Sequence, residues 1–185
     1  MAYEFTENRL GGYPQSWLRD WEGYLVADTY TDYDRLFATP PIKGVDCSPH
    51  ARRKFFEVAR LAQGKGLARE AASRIGAFSH LDNQWWELPH EERQRRRREE
   101  IGPLLDEFRR WIEVDYPKLL PQGPLVKTMG YVLKQWVALT RFVDDGRLPL
   151  DNNVAKRALR PIALGRKNWL FAGSVRGGEA AALIL

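Results

Sequence analysis

From about Arg52 to Asp144 the sequence carries helical patterns and no strand signal. Three long segments, "GLAREAASRIGAFSHLDNQWWEL", "PHEERQRRRREEIGPLLDEFRRWIEVDY" and "GPLVKTMGYVLKQWVALTRFVDDG", are separated by Pro and Gly. The residues before this block read differently. "YEFTENR", "GYLVAD" and "IKGVDC" are strand-length runs, while "PQSWLRDWEG" after Pro14, "TDYDRLFATPP" up to Pro40 and Pro41, and "SPHARRKFFEVARLAQGKG" read as helices. Strand and helix in alternation predict an α/β layer with a partly parallel sheet. After Gly146 the pattern changes again: Asp151 is placed to cap a short helix through Leu159, and "NWLFAG" reads as a strand or extended loop. The fold expected is therefore α/β with a large α-helical insertion, mostly helical overall. Residues 1–51 and 145–185 form the α/β part, and 52–144 form the insertion.

The 185 residues suffice for one sizeable core, or for a core and a small second unit, and 44% hydrophobic with 29% charged residues is a globular composition. A formal charge of +5 biases the chain toward polyanions, because Lys and Arg gain affinity by displacing counterions from phosphates. The single cysteine, Cys47, excludes an internal disulfide framework and fits a reducing compartment. With no secretory h-region at the start and no apolar run long enough to span a bilayer, a cytoplasmic location is expected.

Asp28 follows an apolar run and so falls at the carboxyl end of a strand, where open α/β sheets place their chemistry. Two readings stand open for it: a turn or cap residue, or a metal-binding carboxylate, which needs a further acid nearby. Asp32, Asp34 and Asp46 are candidates by position, and spacing does not choose among them. Cys47 and His50 form a C-x-x-H pair, but only His80 and His90 remain to complete four zinc ligands, so His50 reads as a helix-start residue. In "HEERQRRRREE", Glu91 and Glu92 lie one helical turn before Arg95 and Arg96, so the run reads as a solvated, paired face with phosphate contact as the alternative. The tail concentrates Lys156, Arg157, Arg160, Arg166, Lys167 and Arg176 around Trp169, Phe171 and several glycines. Singly, Trp169 and Phe171 read at least as well as core residues of a strand; taken together, basic residues with interleaved aromatics favour nucleic acid.

These residues resemble the transposases of the insertion sequence 66 family. The stretches that match are "GYLVADTYTDYDRLF", "CSPHARRKFFEV", "PLLDEF", "GYVLKQWVALTRFVDDGRLPLDNNVAKRALRPIALGRKNWLFAGS" and "RGGEAAA", in family order and over nearly the whole chain. The resemblance implies a ribonuclease-H-like core, here incomplete, in which two Asp and one Glu hold two Mg²⁺ ions for DNA strand cleavage and transfer. Asp28 matches the second acid, and thus a metal ligand. The helical block matches the insertion between the second and third acids. Arg157, Arg160, Arg166, Lys167, Trp169 and Arg176 become the expected DNA contacts, and the element's DNA ends become the expected partner.

The departures are specific. The third acid belongs to D-N-N-x-A-E-R, and this sequence has Lys156 at the Glu position. The family's C-W-A-H is "CSPH" here, with Ser48 and Pro49. The first acid lies on a strand upstream of "YEFTENR", and the chain ends at "AALIL" where the family continues. An ammonium at position 156 repels a divalent cation. Asp151 is a poor substitute, about 140° round the helix from Lys156. Glu179 in the tail is not placed by the sequence. The expectation is a truncated, catalytically inactive DDE-type transposase whose Mg²⁺ binding is in doubt and in which Lys156→Glu alone restores nothing. The alternatives are a DNA-binding regulatory or inhibitory remnant, joining an intact transposase or a second copy, and a neutral fragment with no role. An exposed sheet edge, where upstream strands would pair, is a further expectation.

Overall fold

The computed structural model describes Thr6, residues 12–27, Phe37 and residues 41–161, 163–164 and 174–184. The expected strand "YEFTENR", most of the expected helix before Pro40 and the segment "NWLFAG" lie outside the described residues. So do Asp28, Asp32, Asp34, Arg166, Lys167, Trp169 and Phe171. The chain divides into two compact units, one of Met1–Gly23, Tyr30–Ile42 and Asn152–Leu185, the other of Tyr24–Thr29 and Lys43–Asp151.

In chain order the described elements begin with helix α1 (Gly12–Trp17), which starts before Pro14 and ends earlier than the sequence pattern suggests. Strands β1 (Gly23–Ala27) and β2 (Ile42–Asp46) follow and pair with each other. The Gly23 N–H donates to the Pro41 carbonyl at the start of both strands, so they run in the same direction and end side by side. Among the described residues the sheet has these two strands, and the rest of the architecture is helical.

The helices of the larger unit are α2 (Ser48–Leu61), α3 (Leu67–Gln84), α4 (His90–Arg96), α5 (Gly102–Asp115), α6 (Pro124–Lys134) and α7 (Trp136–Thr140). Each longer helix buries one stripe at helical spacing: Ala51, Phe55 and Ala59 on α2; Ala68, Ala71, Ala72, Ile75 and Phe78 on α3; Leu105, Phe108 and Ile112 on α5; Met129 and Val132 on α6. The α2–α3 contact is the most extensive, and its many alanines let the two backbones approach closely. Between them the chain reverses through a Schellman end, with Gly64 N–H bonded to Ala59 O at 2.7 Å and Gln63 N–H to Arg60 O at 3.3 Å. Gln63 holds the left-handed position of that motif, at φ 53°.

Two expected helices are modified. "PHEERQ…VDY" runs from α4 into α5 through a π-helical segment, Arg97–Ile101, where Gly102 N–H reaches back to Arg97 O. Pro103 follows; it has no N–H to give and would crowd an ordinary turn, so the ladder widens just ahead of it. "GPLVK…DDG" deflects at Gln135 and ends in a short 3₁₀ turn, Arg141–Val143. Hydrogen bonds from Gln135 N to Tyr131 O and from Leu139 N to Gln135 O carry the ladder through the deflection.

The π segment opens on Arg97, which is fully buried. Its Nε and Nη2 donate to the two carboxylate oxygens of Asp82 at 2.6 and 3.0 Å. Its Nη1 donates to the carbonyls of Phe142, Asp145 and Leu148 at 2.8, 3.2 and 2.9 Å. One turn earlier Arg93, also buried, donates to the carbonyls of Trp85, Trp86 and Gly146, and Gln94 donates to Asp144 O. A β-carbon on Gly146 would run into the His90 carbonyl, so only glycine lets the loop lie against the start of α4.

Replacing Arg97 by Leu would leave Asp82 as a buried charge without its partner, a change worth about 3–5 kcal/mol. Urea unfolding should show that loss for Arg97→Leu, while Arg95→Ala, on the exposed face of the same run, stays within about 0.5 kcal/mol of the parent. Equal losses for the two variants would contradict the assignment.

Candidate functional site

The carboxyl ends of β1 and β2 lie side by side. β1 closes on the buried Ala27, and Asp28 is the next residue in sequence. β2 closes on Asp46, which is only 5% exposed. Its Oδ1 accepts the Cys47 N–H at 2.9 Å, and its Oδ2 accepts the Tyr131 hydroxyl from α6 at 2.8 Å. Of the three acids that spacing left open beside Asp28, Asp46 is thus the one described, and the structure shows it tying the strand end to the helical block. Lys54 of α2 stands over the Tyr131 ring, 4.9 Å from its centre.

Helix α2 begins immediately after Asp46 and Cys47. Cys47 is 1% exposed and reduced, and Pro49 in the first turn costs no hydrogen bond there. His50 sits in that first turn with its N–H on the Cys47 carbonyl, as a helix-start residue does. Ser48 N–H donates to Leu150 O at 3.1 Å. The loop that Arg93, Gln94 and Arg97 hold from below is therefore pinned at its far end to the carboxyl end of β2. The residue after Leu150 is Asp151, and the motif "DNNVAKR" starts there.

That motif forms helix α8 (Asn153–Ala158). The cap expected of Asp151 is corrected: the helix starts two residues later, Asn152 occupies the N-cap position, and its carbonyl accepts the Lys156 N–H at 3.1 Å. Lys156, Arg157 and Arg160 are exposed, and α8 buries none of its residues. A further helix, α9 (Val175–Ile184), carries Arg176 and Glu179, both exposed. Arg166, Lys167 and Trp169, expected as DNA contacts, lie outside the described residues.

In the arginine-rich run, Arg95 pairs with Glu92 and Glu99 at 2.6 and 3.0 Å, and Arg96 pairs with Glu92 and Glu100 at 3.2 and 3.0 Å. The hydrogen bond from Arg95 leads the causes that hold the Glu92 carboxyl below its ordinary range. The paired-face reading holds for these two arginines. It misses that Arg93 and Arg97 are interior. The signal was available, because positions 93, 97, 101, 105, 108 and 112 form one continuous helical stripe. Tyr131 and Lys54 were also missed: both lie in stretches that match the family, but nothing in their local sequence marks either for chemistry.

Among the described residues no group of three His, Cys, Asp or Glu is gathered to hold a metal ion, and Asp28, the acid expected as a metal ligand, lies outside them. Among the same residues no helix is long and apolar enough to cross a membrane.

The family profile described as Transposase IS66 family matches residues 1–180. The chain belongs to the IS66 transposase family. It is similar to three proteins of Sinorhizobium fredii (strain NBRC 101917 / NGR234), each described as uncharacterized. Protein y4hP is 36% identical over 198 residues, covering 99% of this chain and 36% of the relative. Protein y4jD is 30% identical over 190 residues, covering 100% of this chain and 37% of the relative. Protein y4qI is 29% identical over 199 residues, covering 100% and 35%. The chain thus spans about a third of the length of these relatives. No solved structure matches it.

Tyr131→Phe removes the hydroxyl given to the buried Asp46 carboxylate, a loss of about 1–3 kcal/mol. Thermal unfolding should register it, and hydrogen exchange should rise first in residues 46–51. Unchanged stability and exchange would mean that the bond does not hold the strand end.

Proposed function

We propose that this chain is the DNA-handling portion of a DDE-type transposase and that it does not cut DNA itself. The observation that carries the reading is Lys156, which stands in "DNNVAKR" at the position where the family has its third metal-binding acid. In the two-metal scheme that acid completes the negative cage that attracts Mg²⁺ and stabilises the leaving oxygen. A lysine there reverses the charge: an ammonium about 4 Å from a divalent cation repels it even in a well-solvated setting. No catalytic step is therefore assigned to Asp28, although it matches the second acid of a ribonuclease-H-like core.

What remains is binding. The exposed residues Lys156, Arg157 and Arg160 of α8, with Arg176 of α9 and with Arg166, Lys167 and Trp169 between them in sequence, supply cations for phosphates and an aromatic for stacking. DNA of the element's ends is the partner, and Mg²⁺ is not needed for that contact. A chain of this kind can occupy ends, alone or beside an intact transposase, and so restrain transposition.

The test uses purified protein, end-containing duplex, and Mg²⁺ or Mn²⁺. No nicking above background is expected, and metal-dependent nicking lost in Asp28→Ala would overturn the inactive reading. Fluorescence anisotropy on the same duplex should show binding that weakens steeply as salt rises. The variant Arg157→Ala with Arg160→Ala should lower the slope of log affinity against log salt by about 2. Negligible binding at low salt would leave a chain without a DNA role.

A further inference from the structure

We infer that the face shared by α2 and α6 is a second phosphate-backbone contact for duplex DNA, centred on Tyr131 and formed by Lys54, Lys127 and Lys134. The inference rests on the reading that this chain binds DNA. It places a contact in the helical block, where neither the tail nor the arginine-rich run would put one.

The geometry starts from α6. Lys127, Tyr131 and Lys134 are spaced by a turn each, so they share one face of the helix. Lys127 and Lys134 are exposed. The rise of the helix separates them by about 10 Å along its axis, the span of about three phosphates on one strand of B-DNA. From the neighbouring helix Lys54 leans over Tyr131, so a third ammonium enters between the other two.

Charge is what distinguishes this face from the arginine run. Helix α6 contains no Asp or Glu, and the sole acid of α2 is Glu57. Among the described residues neither Lys127 nor Lys134 forms an ion pair, and Glu57 pairs with neither Arg53 nor Lys54. Arg95 and Arg96, by contrast, share three glutamates. Cations already neutralised by carboxylates release few counterions on meeting a phosphate, whereas lysines without a carboxylate partner release theirs.

The same arrangement favours backbone over base contact. The Tyr131 ring is covered by Lys54 and its hydroxyl is held by Asp46, so the aromatic is not free to stack on a base. A contact of this kind positions DNA without reading its sequence. It also lies beside the strand ends, because Asp46, the last residue of β2, is the acceptor of Tyr131.

The experiment is a salt titration of binding by the full chain to two duplexes, one with element-end sequence and one scrambled. Lys127→Gln with Lys134→Gln should weaken binding about tenfold near 0.1 M salt, equally on both duplexes, and lower the salt slope by about 2. Lys127→Arg with Lys134→Arg should keep the parental slope, which separates lost charge from lost folding. Arg95→Ala with Arg96→Ala removes as many positive charges and should leave the slope unchanged. Parental binding by the Lys-to-Gln variant, with the tail arginine variant weakened, would overturn this inference and leave the DNA reading standing. A parent chain with no salt-dependent binding would overturn both.

Discussion

The Arg97–Asp82 pair organises the larger unit because neither partner has water to fall back on. Arg97 is fully buried and the Asp82 side chain is 5% exposed. A buried ion pair gains little over a well-packed apolar pair, since desolvation offsets most of the attraction. Its value here is geometric. A guanidinium is planar and presents five donors in a fixed fork. Two of them meet the carboxylate, and the remaining side of the fork collects the carbonyls of Phe142, Asp145 and Leu148. Those carbonyls belong to a turn with few ladder bonds of its own. Asp145 O also accepts the Leu148 N–H, but without Arg97 the carbonyls of Phe142 and Leu148 would lose a buried donor, which is expensive. Arg93 repeats the arrangement one turn away. Burial, with Arg97 beside it, draws its pKa below that of an ordinary guanidinium, and the charge of Asp82 offsets part of that shift.

A loop held in this way can be aimed. One end is gripped from the π segment, and the other is fixed by the bond from Ser48 N–H to Leu150 O. Within this unit the carboxyl end of β2, the first turn of α2 and the residue preceding "DNNVAKR" are consequently brought to one place. The helical block thus does more than pack on itself. It supplies Tyr131 to the strand end and the arginine fork to the loop. Both contacts join residues far apart in sequence, so both depend on the packing of α3 and α5 being right.

That dependence explains what could be read from the chain in advance. The two described strands and the helical block were legible because each follows from local pattern: short strand-length runs bounded by turn residues for "GYLVA" and "IKGVD", helical stripes for the rest. Their interruptions were not. The π turn before Pro103 and the deflection at Gln135 are compromises with tertiary packing. The cap was misplaced from Asn152 to Asp151 because both are good capping residues and sequence alone cannot say which carbonyl starts the ladder. The arginine run shows the same limit from the side of charge. Five arginines in six residues suggest a surface, yet two of them continue the apolar stripe of α5 and are interior. Asp82 continues the stripe of α3 in the same manner, and the matched polar residues in two apolar stripes were the sign that they meet.

Once the paired and buried arginines are set aside, the chain's positive charge is distributed differently from its appearance in the sequence. The densest basic run, "RQRRRR", contributes mainly to internal bonds and to glutamates on its own helix. The thinly spread lysines of α6 have no acids on their helix to neutralise them. For a polyanion it is the residual field that counts, because each phosphate contact draws its free energy from the counterions it displaces. A cation bound to a carboxylate has already spent that interaction. On the function proposed for this chain, a lysine at position 156 in place of a metal-binding acid would disfavour Mg²⁺ and suit a phosphate for one and the same reason, the sign of its charge.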